Sequence, residues 1–469
     1  MASGRRNRRR RKSLLVAEIV ILVILTTALI GAVWITHKLS LVNYDSDFDR
    51  SKVQTASEAN KNRSESKNKT TPEPTKSPES GSTEQTQTDT KLPHESDETT
   101  QEQTAAVPES DLSGIDVVAL VGLDTRPLEE DEDTGDNSDT MIICVINHNT
   151  KSIKLASLYR DTLLNIGEDW DGSTDTYTKA NAAYNIGGPE QFLSMINLNL
   201  DLDITEYVTV EFKALATAIE MLGGIDVDLT YQEIVHLNNY NIETSAACDM
   251  EYVEIELPPL EELNGYMTRT YHLNGSQAVS YARIRYTDGF DFRRASRQRL
   301  VLTLLKEKAK NADLATINSL LNAVLPMVTT NMDSSKIFSM AWPVLFYDMS
   351  SEDQSGFPIV HLEDDGEITG ADCIIPVTLE YNVSKLHELL FPGQTYYPSD
   401  IVKEYSDYII EMTGYGEEFI EPASEIPDDA EIPIYNPAAA PENPAASNEE
   451  EYSEDEYYYD EETGEYVHY

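Results

Sequence analysis

Cysteine and positive charge are both scarce in this chain. Its 469 residues include three cysteines, which are too few for a disulfide framework. Lys and Arg number 35 against 83 Asp and Glu, so the formal net charge is −48. Because a nucleic-acid-binding protein needs a basic surface to displace counterions from phosphates, this composition excludes nucleic acid as a partner.

The three cysteines differ in their surroundings. Cys144 lies inside the apolar run MIICVI, which is typical of a thiol in a hydrophobic core. For Cys248 and Cys373 the sequence leaves two alternatives open, a disulfide bond or two separate thiols.

Positive charge is concentrated first at the N-terminus. Residues 5–12 carry seven Arg and Lys side chains, and an apolar run follows over residues 13–36. A membrane-spanning helix needs about 20 such residues, and the basic flank stays in the cytoplasm. We therefore expect a basic cytoplasmic segment over 1–12 and a single transmembrane helix over 13–36. A cleaved secretory signal is the alternative, but its apolar region usually has only about 7–15 residues. With either reading, the remainder of the chain is extracytoplasmic.

Two polar segments flank a region of mixed composition. Residues 37–112 are dominated by Ser, Thr, Glu, Lys and Pro, and predict a disordered extracytoplasmic linker. Residues 416–469 predict an acidic, Tyr-rich disordered tail, with sixteen Asp and Glu and no Lys or Arg from residue 421 onward. The tail is either simply solvated or a docking segment for a basic partner or cations. The folded unit is therefore expected over residues 113–415.

Strand and helix patterns alternate in the folded unit. IDVVALVGLDTR predicts a strand, TMIICVI and SIKLASL predict a hairpin, and KALATAIEMLGG predicts an amphipathic helix. The sequence RRASRQRLVLTLLKEKAKN predicts a long helix, and further helices are expected near residues 314–323, 335–346 and 383–391. These patterns indicate an α/β fold, a three-layer α-β-α domain with a mixed central sheet, preceded by the transmembrane helix.

The second concentration of positive charge is YARIRYTDGFDFRRASRQR, residues 281–299. It holds six of the nineteen Lys and Arg between residues 113 and 420. In an extended segment Arg283 and Arg285 point to the same side. On a helix Arg294, Arg297 and Gln298 share one face near its N-terminus. Guanidinium groups bind phosphate oxygens at two points, so this stretch predicts a diphosphate site. A network of surface salt bridges is the alternative.

Other candidate residues lie at predicted strand ends. Asp124 and Arg126 follow the first strand, Arg160 and Asp161 follow the hairpin, and Asp139 begins it. Carboxylates beside phosphate-binding arginines suit a bridging divalent cation, because Mg²⁺ is usually held by one or two carboxylates and by phosphate oxygens. For any single Asp, a turn or a helix cap is the alternative.

These motifs together resemble a known family. GLDTR, SDT, LYRDT, KANAAYNIGG, VEFKALATAIEMLGGIDV, LNGSQAVSYARIR and DFRRASRQR occur in the order found in the LytR-CpsA-Psr domain, also called the cell-envelope-related transcriptional attenuator domain. The resemblance covers roughly residues 113–395, and its most specific part is Arg-x-Arg followed by Arg-x-x-Arg-Gln.

The resemblance implies an enzyme. Such proteins look like phosphotransferases that move a glycopolymer, such as a teichoic acid or capsular polysaccharide, from undecaprenyl pyrophosphate to peptidoglycan at the cell membrane. It implies Mg²⁺ or Mn²⁺ at Asp124 and Asp139. The implied pyrophosphate-binding residues are Arg160, Lys179, Arg283, Arg285, Arg294 and Gln298. Arg126, Asp161, Asn181 and Arg297 also fall inside the motifs, and Asp161 or Asp124 is a candidate proton acceptor.

The sequence departs from the family pattern at two positions. Asn137 stands where members often have Arg, so one phosphate contact is expected to be weaker or supplied elsewhere. Arg293 stands where Gly is usual, and it adds a contact or points to solvent.

Three alternative functions follow from the same residues. A polyprenyl-pyrophosphate hydrolase would use the same groups with water as the acceptor. A non-enzymatic envelope regulator, or attenuator, and a glycan-binding wall protein require no chemistry. Apolar side chains in ALATAIEML, LVLTLLK and INSLLNAVLPMV are either ordinary core or the lining of a pocket for the carrier lipid.

Overall fold

The structure is a computed structural model that describes residues 36–69, 112–124, 137–259, 263, 267–285, 287, 290–350, 353–421, 457–460 and 465–468. The transmembrane helix expected over 13–36 lies outside these residues, except for Thr36. Among the residues that the structure describes, no helix combines the length and apolar character needed to cross a bilayer.

Strands and helices alternate along the chain. The strands are β1 (Asn43–Tyr44), β2 (Ile115–Asp124), β3 (Asn137–Asn147), β4 (Ser152–Leu158), β5 (Leu163–Gly167), β6 (Thr176–Lys179), β7 (Tyr207–Glu211), β8 (Ile225–Leu229), β9 (Arg269–Leu273), β10 (Val328–Thr330), β11 (Gln354–Phe357), β12 (His361–Asp365), β13 (Asp372–Pro376), β14 (Tyr457–Asp460) and β15 (Glu465–His468). The helices are α1 (Ala56–Lys69), α2 (Ala182–Leu200), α3 (Phe212–Met221), α4 (Tyr231–Ala247), α5 (Gly275–Arg283), α6 (Phe290–Asn311), α7 (Leu314–Val324), α8 (Ser334–Val344), α9 (Leu379–Leu390) and α10 (Asp400–Thr413).

A mixed sheet forms the centre of the fold. Within the described residues its seven strands have the order β1-β10-β7-β2-β3-β4-β11. The hairpin expected from TMIICVI and SIKLASL is present, because β3 and β4 pair antiparallel from Met141–Leu158 to Asn147–Ser152. β7 runs parallel to β2, and β11 runs parallel to β4. The prediction of a mixed α/β domain with a central mixed sheet is confirmed.

Both faces of this sheet are buried. Met141, Ile143 and Val145 of β3 pack toward α2, α9 and α10, whereas Ile142 and Cys144 pack toward α6 and α8. Successive residues of a strand point to opposite faces, which explains why β3 is a continuous apolar run. The order of layers is therefore helix, sheet, helix.

A second hydrophobic cluster lies beside the sheet. It is formed by α3, α4, α5, the middle of α6 and the antiparallel pair β8–β9. α4, which sequence analysis did not predict, begins at a capping box in which Thr230 and Glu233 satisfy each other's backbone amides.

The N-terminal part of the expected linker is ordered. β1 pairs parallel with β10, and a 3-10 turn at Arg50–Lys52 leads into α1, which lies against α2. Val53 and Ala56 are buried in this region. The prediction of disorder over 37–112 therefore differs from the structure over residues 43–69, because backbone pairing and a few small apolar anchors hold a largely polar segment. Residues 70–111 lie outside the described residues.

The expected disordered tail also contains structure. A 3-10 turn covers Glu417–Phe419, and β14 pairs antiparallel with β15. The remainder of residues 422–469 lies outside the described part.

The structure shows whether Cys248 and Cys373 form a disulfide bond, which the sequence left open. Cys144, Cys248 and Cys373 are all buried and free. Cys144 lies in the core as expected, and Cys248 and Cys373 do not pair.

Candidate active site

Candidate site residues meet at one end of the sheet. β2, β4 and β7 finish there and β3 begins there, since β2 runs parallel to β7 and antiparallel to β3. Gly122 pairs with Thr140 and Leu123 pairs with Ser138, so Asp139 is the extra residue of a β-bulge. Bulges re-aim side chains and are frequent beside active sites.

Asp139 is surrounded by guanidinium groups. Arg160 Nη1 donates to Asp139 Oδ1 at 2.9 Å, and Arg285 Nη2 lies 3.4 Å from Asp139 Oδ2. Burial alone raises the pKa of Asp139, but the charges of Arg294, Arg160 and Arg285 outweigh it and hold that pKa below its ordinary value. Asp139 is therefore an ionised carboxylate that three arginines share.

A second carboxylate extends this network. Arg160 Nε donates to Asp161 Oδ2 at 3.1 Å, and Lys179 Nζ lies 3.1 Å from Asp161 Oδ1. The backbone amide of Asn181, at the start of α2, donates to the carbonyl of Arg160 at 3.0 Å. We call Arg160, Lys179, Arg285, Arg294, Asp139 and Asp161 the cationic cluster. Its cations outnumber its carboxylates by two, so it favours an anion.

An apolar cavity of about 140 Å³ adjoins this end of the sheet. It lies between β2, β3 and β7 on one side and α3, α5 and α6 on the other. Its lining includes Gly122, Thr140, Phe212, Leu215, Val279, Ala282, Arg283, Gln298 and Leu302. Thr140 directly follows Asp139, and Gln298 lies one helical turn after Arg294, so the cavity begins beside the cationic cluster.

Arg283 lines the apolar cavity. It is the last residue of α5, and its Nη1 donates to Thr244 Oγ1 at 2.6 Å. Its guanidinium also stacks over the rings of Phe212 and Tyr240, with 5.3 Å and 5.2 Å to the ring centroids. The expectation of an extended segment through Arg283 and Arg285 is wrong at Arg283, because α5 continues through that residue.

Arg297 is held away from the cluster in a buried ion pair. Only 4% of its side chain is exposed, and its Nη2 lies 2.9 Å from Glu233 Oε1. It also donates to the carbonyl of Ile284 and to Thr287 Oγ1. These contacts anchor α6 to α4, and its assignment as a substrate-binding residue stays a prediction.

Three predicted residues are not fully described. Arg126 lies outside the described residues, and only the backbone is described for Asp124, at the end of β2, and for its strand partner Asn137. The pairing places Asp124 two residues from the bulge at Asp139. Arg293 is half-buried in α6.

The aromatic and hydroxyl partners of Arg283 were not predicted from the sequence. Tyr240 and Thr244 lie on α4, whose only sequence signal is the Thr-x-x-Glu capping box at residues 230–233. Phe212 is the first residue of α3.

The arrangement suits one kind of ligand. Converging arginines bind phosphate oxygens in a forked geometry, and an enclosed apolar space binds hydrocarbon. The site therefore matches an amphiphile whose head group is a phosphate or diphosphate.

Comparison with known proteins identifies the family. The LytR_cpsA_psr family model matches residues 80–359, which is more than half of the chain. The chain belongs to the LytR_cpsA_psr family. The resemblance of its motifs is thereby confirmed.

Among its relatives in the LytR_cpsA_psr family, Biofilm regulatory protein A of Streptococcus mutans is 29% identical over 234 residues, 48% of this chain and 53% of that protein. The polyisoprenyl-teichoic acid–peptidoglycan teichoic acid transferase TagV of Bacillus subtilis is 31% identical over 197 residues, 42% of this chain and 45% of TagV. The chain spans about half the length of the curated relatives it matches.

Solved structures also resemble this LytR_cpsA_psr chain. A protein of Streptococcus agalactiae aligns with a TM-score of 0.47 and 22% identity over 63% of this chain and 94% of that one. TagT with bound octaprenyl pyrophosphate lipid aligns with a TM-score of 0.41 and 18% identity over 61% of this chain and 94% of that one.

Proposed function

We propose that this chain is a membrane-anchored, extracytoplasmic phosphotransferase that moves a glycopolymer from a polyprenyl-pyrophosphate carrier to peptidoglycan. The observation that carries the proposal is the cationic cluster beside an apolar cavity. The relative TagV is named as a transferase of polyisoprenyl-linked teichoic acid to peptidoglycan, which supports the same reaction class.

The cationic cluster would bind the diphosphate. Arg160 and Arg285 present guanidinium groups on the two oxygens of Asp139, and Arg294 adds a third positive charge nearby. A diphosphate can take over these donors without a large rearrangement, because Asp139 already holds them in an anion-binding geometry. Preorganised donors of this kind stabilise charge in the transition state.

The apolar cavity would receive the lipid next to the diphosphate. Phe212, Leu215, Val279 and Leu302 offer hydrocarbon surface, and Arg283 and Gln298 provide polar groups on the same wall. Phe212 and Leu215 of α3 and Gln298 and Leu302 of α6 line the cavity, so a longer chain would continue between these two helices.

The reaction would be phosphoryl transfer, which depends mainly on positioning and charge stabilisation. An acceptor sugar hydroxyl oxygen forms a bond to the phosphorus nearest the glycan. The bond from that phosphorus to the bridging oxygen breaks, and polyprenyl phosphate leaves with that oxygen. Asp161 is the candidate acceptor for the hydroxyl proton. Its ion pairs with Arg160 and Lys179 make it a weak base, so most acceleration is assigned to the arginines.

A divalent cation is part of the proposal. Within the described residues no group of three or more His, Cys, Asp and Glu side chains is arranged to hold a metal alone. The ionised carboxylate of Asp139, with Asp124 at the neighbouring strand end, fits an Mg²⁺ or Mn²⁺ ion whose remaining ligands are substrate phosphate oxygens. Such an ion would neutralise charge on the diphosphate.

The membrane location rests on the sequence. Seven positive charges at residues 5–12 precede the apolar run at 13–36. This pattern orients the N-terminus to the cytoplasm and the cationic cluster to the outside, where peptidoglycan is assembled.

A single assay tests the proposed function. Full-length protein in liposomes is incubated with labelled, polyprenyl-pyrophosphate-linked glycan, Mg²⁺ and peptidoglycan. Transfer attaches the label covalently to peptidoglycan. Release of free phosphorylated glycan without attachment would instead assign a hydrolase, and an unconsumed substrate would contradict both enzymatic functions.

A further inference from the structure

The helix α7 lies in an unusually uncharged segment of an acidic protein. Residues 314–332 contain no Asp, Glu, Lys or Arg, although 25% of the whole chain is charged. α7 carries Leu314, Ile317, Leu320, Leu321 and Val324, yet none of its residues is buried, and Leu314 is 85% exposed. Leu314 is exposed, and Ile317, Leu320, Leu321 and Val324 are half-buried. An apolar helix that is only partly covered is typical of an interaction site.

Lys38 ties the N-terminal chain to this helix. Its side chain is only 5% exposed, and its Nζ donates to the carbonyl of Asn318 at 3.3 Å and to the side-chain oxygen of Asn322. A buried ammonium is costly unless hydrogen bonds satisfy it, so these two partners fix residue 38 against α7.

The next residues continue along the same edge of the molecule. β1 pairs Asn43 with Thr329 and Tyr44 with Thr330, and it lies against the 3-10 turn Leu325–Met327 that follows α7. Tyr44 is 58% exposed beside this turn. Tyrosine is enriched where proteins meet the membrane interface.

The position of the expected membrane helix indicates which partner covers α7. That helix ends at residue 36, two residues before Lys38, and two residues span at most about 7 Å. A chain that leaves the bilayer at residue 36 therefore places α7 next to the lipid head groups.

We propose that α7 lies on the bilayer surface, with the exposed side chain of Leu314 in the interfacial region. The absence of carboxylates in this segment suits the partner, because anionic lipids would repel the acidic surface of the rest of the molecule. α7 packs against α3, whose Phe212 and Leu215 line the apolar cavity. This orientation brings the cavity-lining helices beside the lipid phase. It requires the membrane helix but no catalytic activity.

Depth-dependent fluorescence quenching tests this orientation in the full-length protein. Leu314→Cys and, separately, Ser319→Cys are labelled with an environment-sensitive fluorophore, since the three native cysteines are buried. The proteins are reconstituted in vesicles of phosphatidylglycerol and phosphatidylethanolamine with a head-group nitroxide lipid. The matched control is Ile368→Cys, 42% exposed in the turn between β12 and β13, beyond the opposite edge of the sheet.

The nitroxide lipid is expected to quench labels on α7 at least threefold more than the label at position 368. Equal quenching at the three positions, or failure of the chain to associate with vesicles, overturns the proposal. Labels on α7 that are shielded from aqueous iodide but not quenched by the nitroxide lipid indicate a second copy or another protein on this face, and also overturn it. The readout is independent of turnover, so it is unaffected if the proposed transfer reaction fails.

Discussion

Asp139 is the residue around which the candidate site is organised. The β-bulge between β2 and β3 turns it toward Arg160, Arg285 and Arg294, and these charges keep it ionised. In the absence of ligand it neutralises cations that would otherwise repel one another. A residue in this position both stabilises the protein and preserves the anion site.

Arg160 contacts both carboxylates of the cationic cluster, so its removal is expected to be costly for function. Arg160→Ala should reduce transfer of labelled glycan by about 10²–10³-fold, the usual effect of removing one preorganised donor. Asp139 keeps Arg285 and Asp161 keeps Lys179, so the fold should persist. The measurement is the transfer rate, accompanied by circular dichroism.

The matched control is Arg50→Ala. Arg50 forms a surface ion pair with Glu206 and is 57% exposed, so its loss should leave transfer near the wild-type rate. Equal activity of the two variants would remove Arg160 from the site.

The ionisation of Asp139 predicts a pH dependence of stability. Its pKa is lowered in the folded protein, whereas an unfolded Asp has a pKa of about 3.9. Its ion pairs therefore contribute fully above the unfolded value, and this contribution is lost as the pH falls through the folded value. Wild type should lose unfolding free energy more steeply than Asp139→Asn below about pH 4. Urea titrations at stepped pH measure this, and parallel curves would contradict it.

Arg297 is expected to act on stability. Arg297→Ala leaves Glu233 buried without its cation partner, which should lower the free energy of unfolding by about 3–5 kcal/mol. The double variant Arg297→Met with Glu233→Gln should recover part of that loss, because no unpaired charge remains. Urea denaturation measures both. A fully stable Arg297→Ala protein that no longer binds polyprenyl pyrophosphate would instead assign Arg297 to the substrate.

At the residue scale, the sequence predicted which residues belong to the site better than it predicted where their side chains lie. Arginine clustering and the Asp residues at strand ends indicated a phosphate site, and Arg160, Arg285 and Asp139 do meet. Spacing alone did not separate Arg297 from Arg294. Arg297 pairs with Glu233, whereas the charge of Arg294 acts on Asp139. Arg283 contacts Thr244, Phe212 and Tyr240, because it is the last residue of a helix and not part of an extended segment.

Helices α3, α5 and α6 form one wall of the apolar cavity, and this element-scale arrangement yields a separate prediction. Ala282→Leu adds three carbons to the lining of a cavity of about 140 Å³. Binding of polyprenyl pyrophosphate should weaken at least tenfold, which corresponds to about 1.4 kcal/mol. Binding of inorganic pyrophosphate should be unchanged, because the cationic cluster is untouched. Isothermal titration calorimetry compares the two ligands.

Ala312→Leu is the matched control, since residue 312 lines a different pocket at the opposite ends of α3 and α6. It should bind both ligands as the wild type does. Equal weakening of both ligands by Ala282→Leu would mean that the substitution disturbs the cationic cluster, and would contradict a role for the cavity in tail binding.

Elements were predictable where their signals were local. The β3–β4 hairpin and the glycine closure of α3 follow from short patterns. α4 and β1 were missed for different reasons. α4 alternates polar and apolar residues without a clear stripe, and β1 is two residues that acquire order only by pairing with distant β10.

At the scale of the whole molecule, a formal charge of −48 coexists with a local excess of positive charge. Two of the protein's own carboxylates, Asp139 and Asp161, hold the cationic cluster together at one end of the central sheet. Composition argued against nucleic acid as a partner, and this stays a prediction. The pairing of these charges depends on contacts between residues up to 146 positions apart, as with Asp139 and Arg285. Such contacts are fixed by topology, which composition does not encode.

The most direct test of the account is an experimental structure of the protein with bound polyprenyl pyrophosphate and Mg²⁺. The account predicts phosphate oxygens within hydrogen-bonding distance of Arg160, Arg285 and Arg294, and the first isoprene units between Phe212, Leu215 and Leu302. A diphosphate bound elsewhere, with Asp139 still paired to its arginines and the cavity empty, would contradict it.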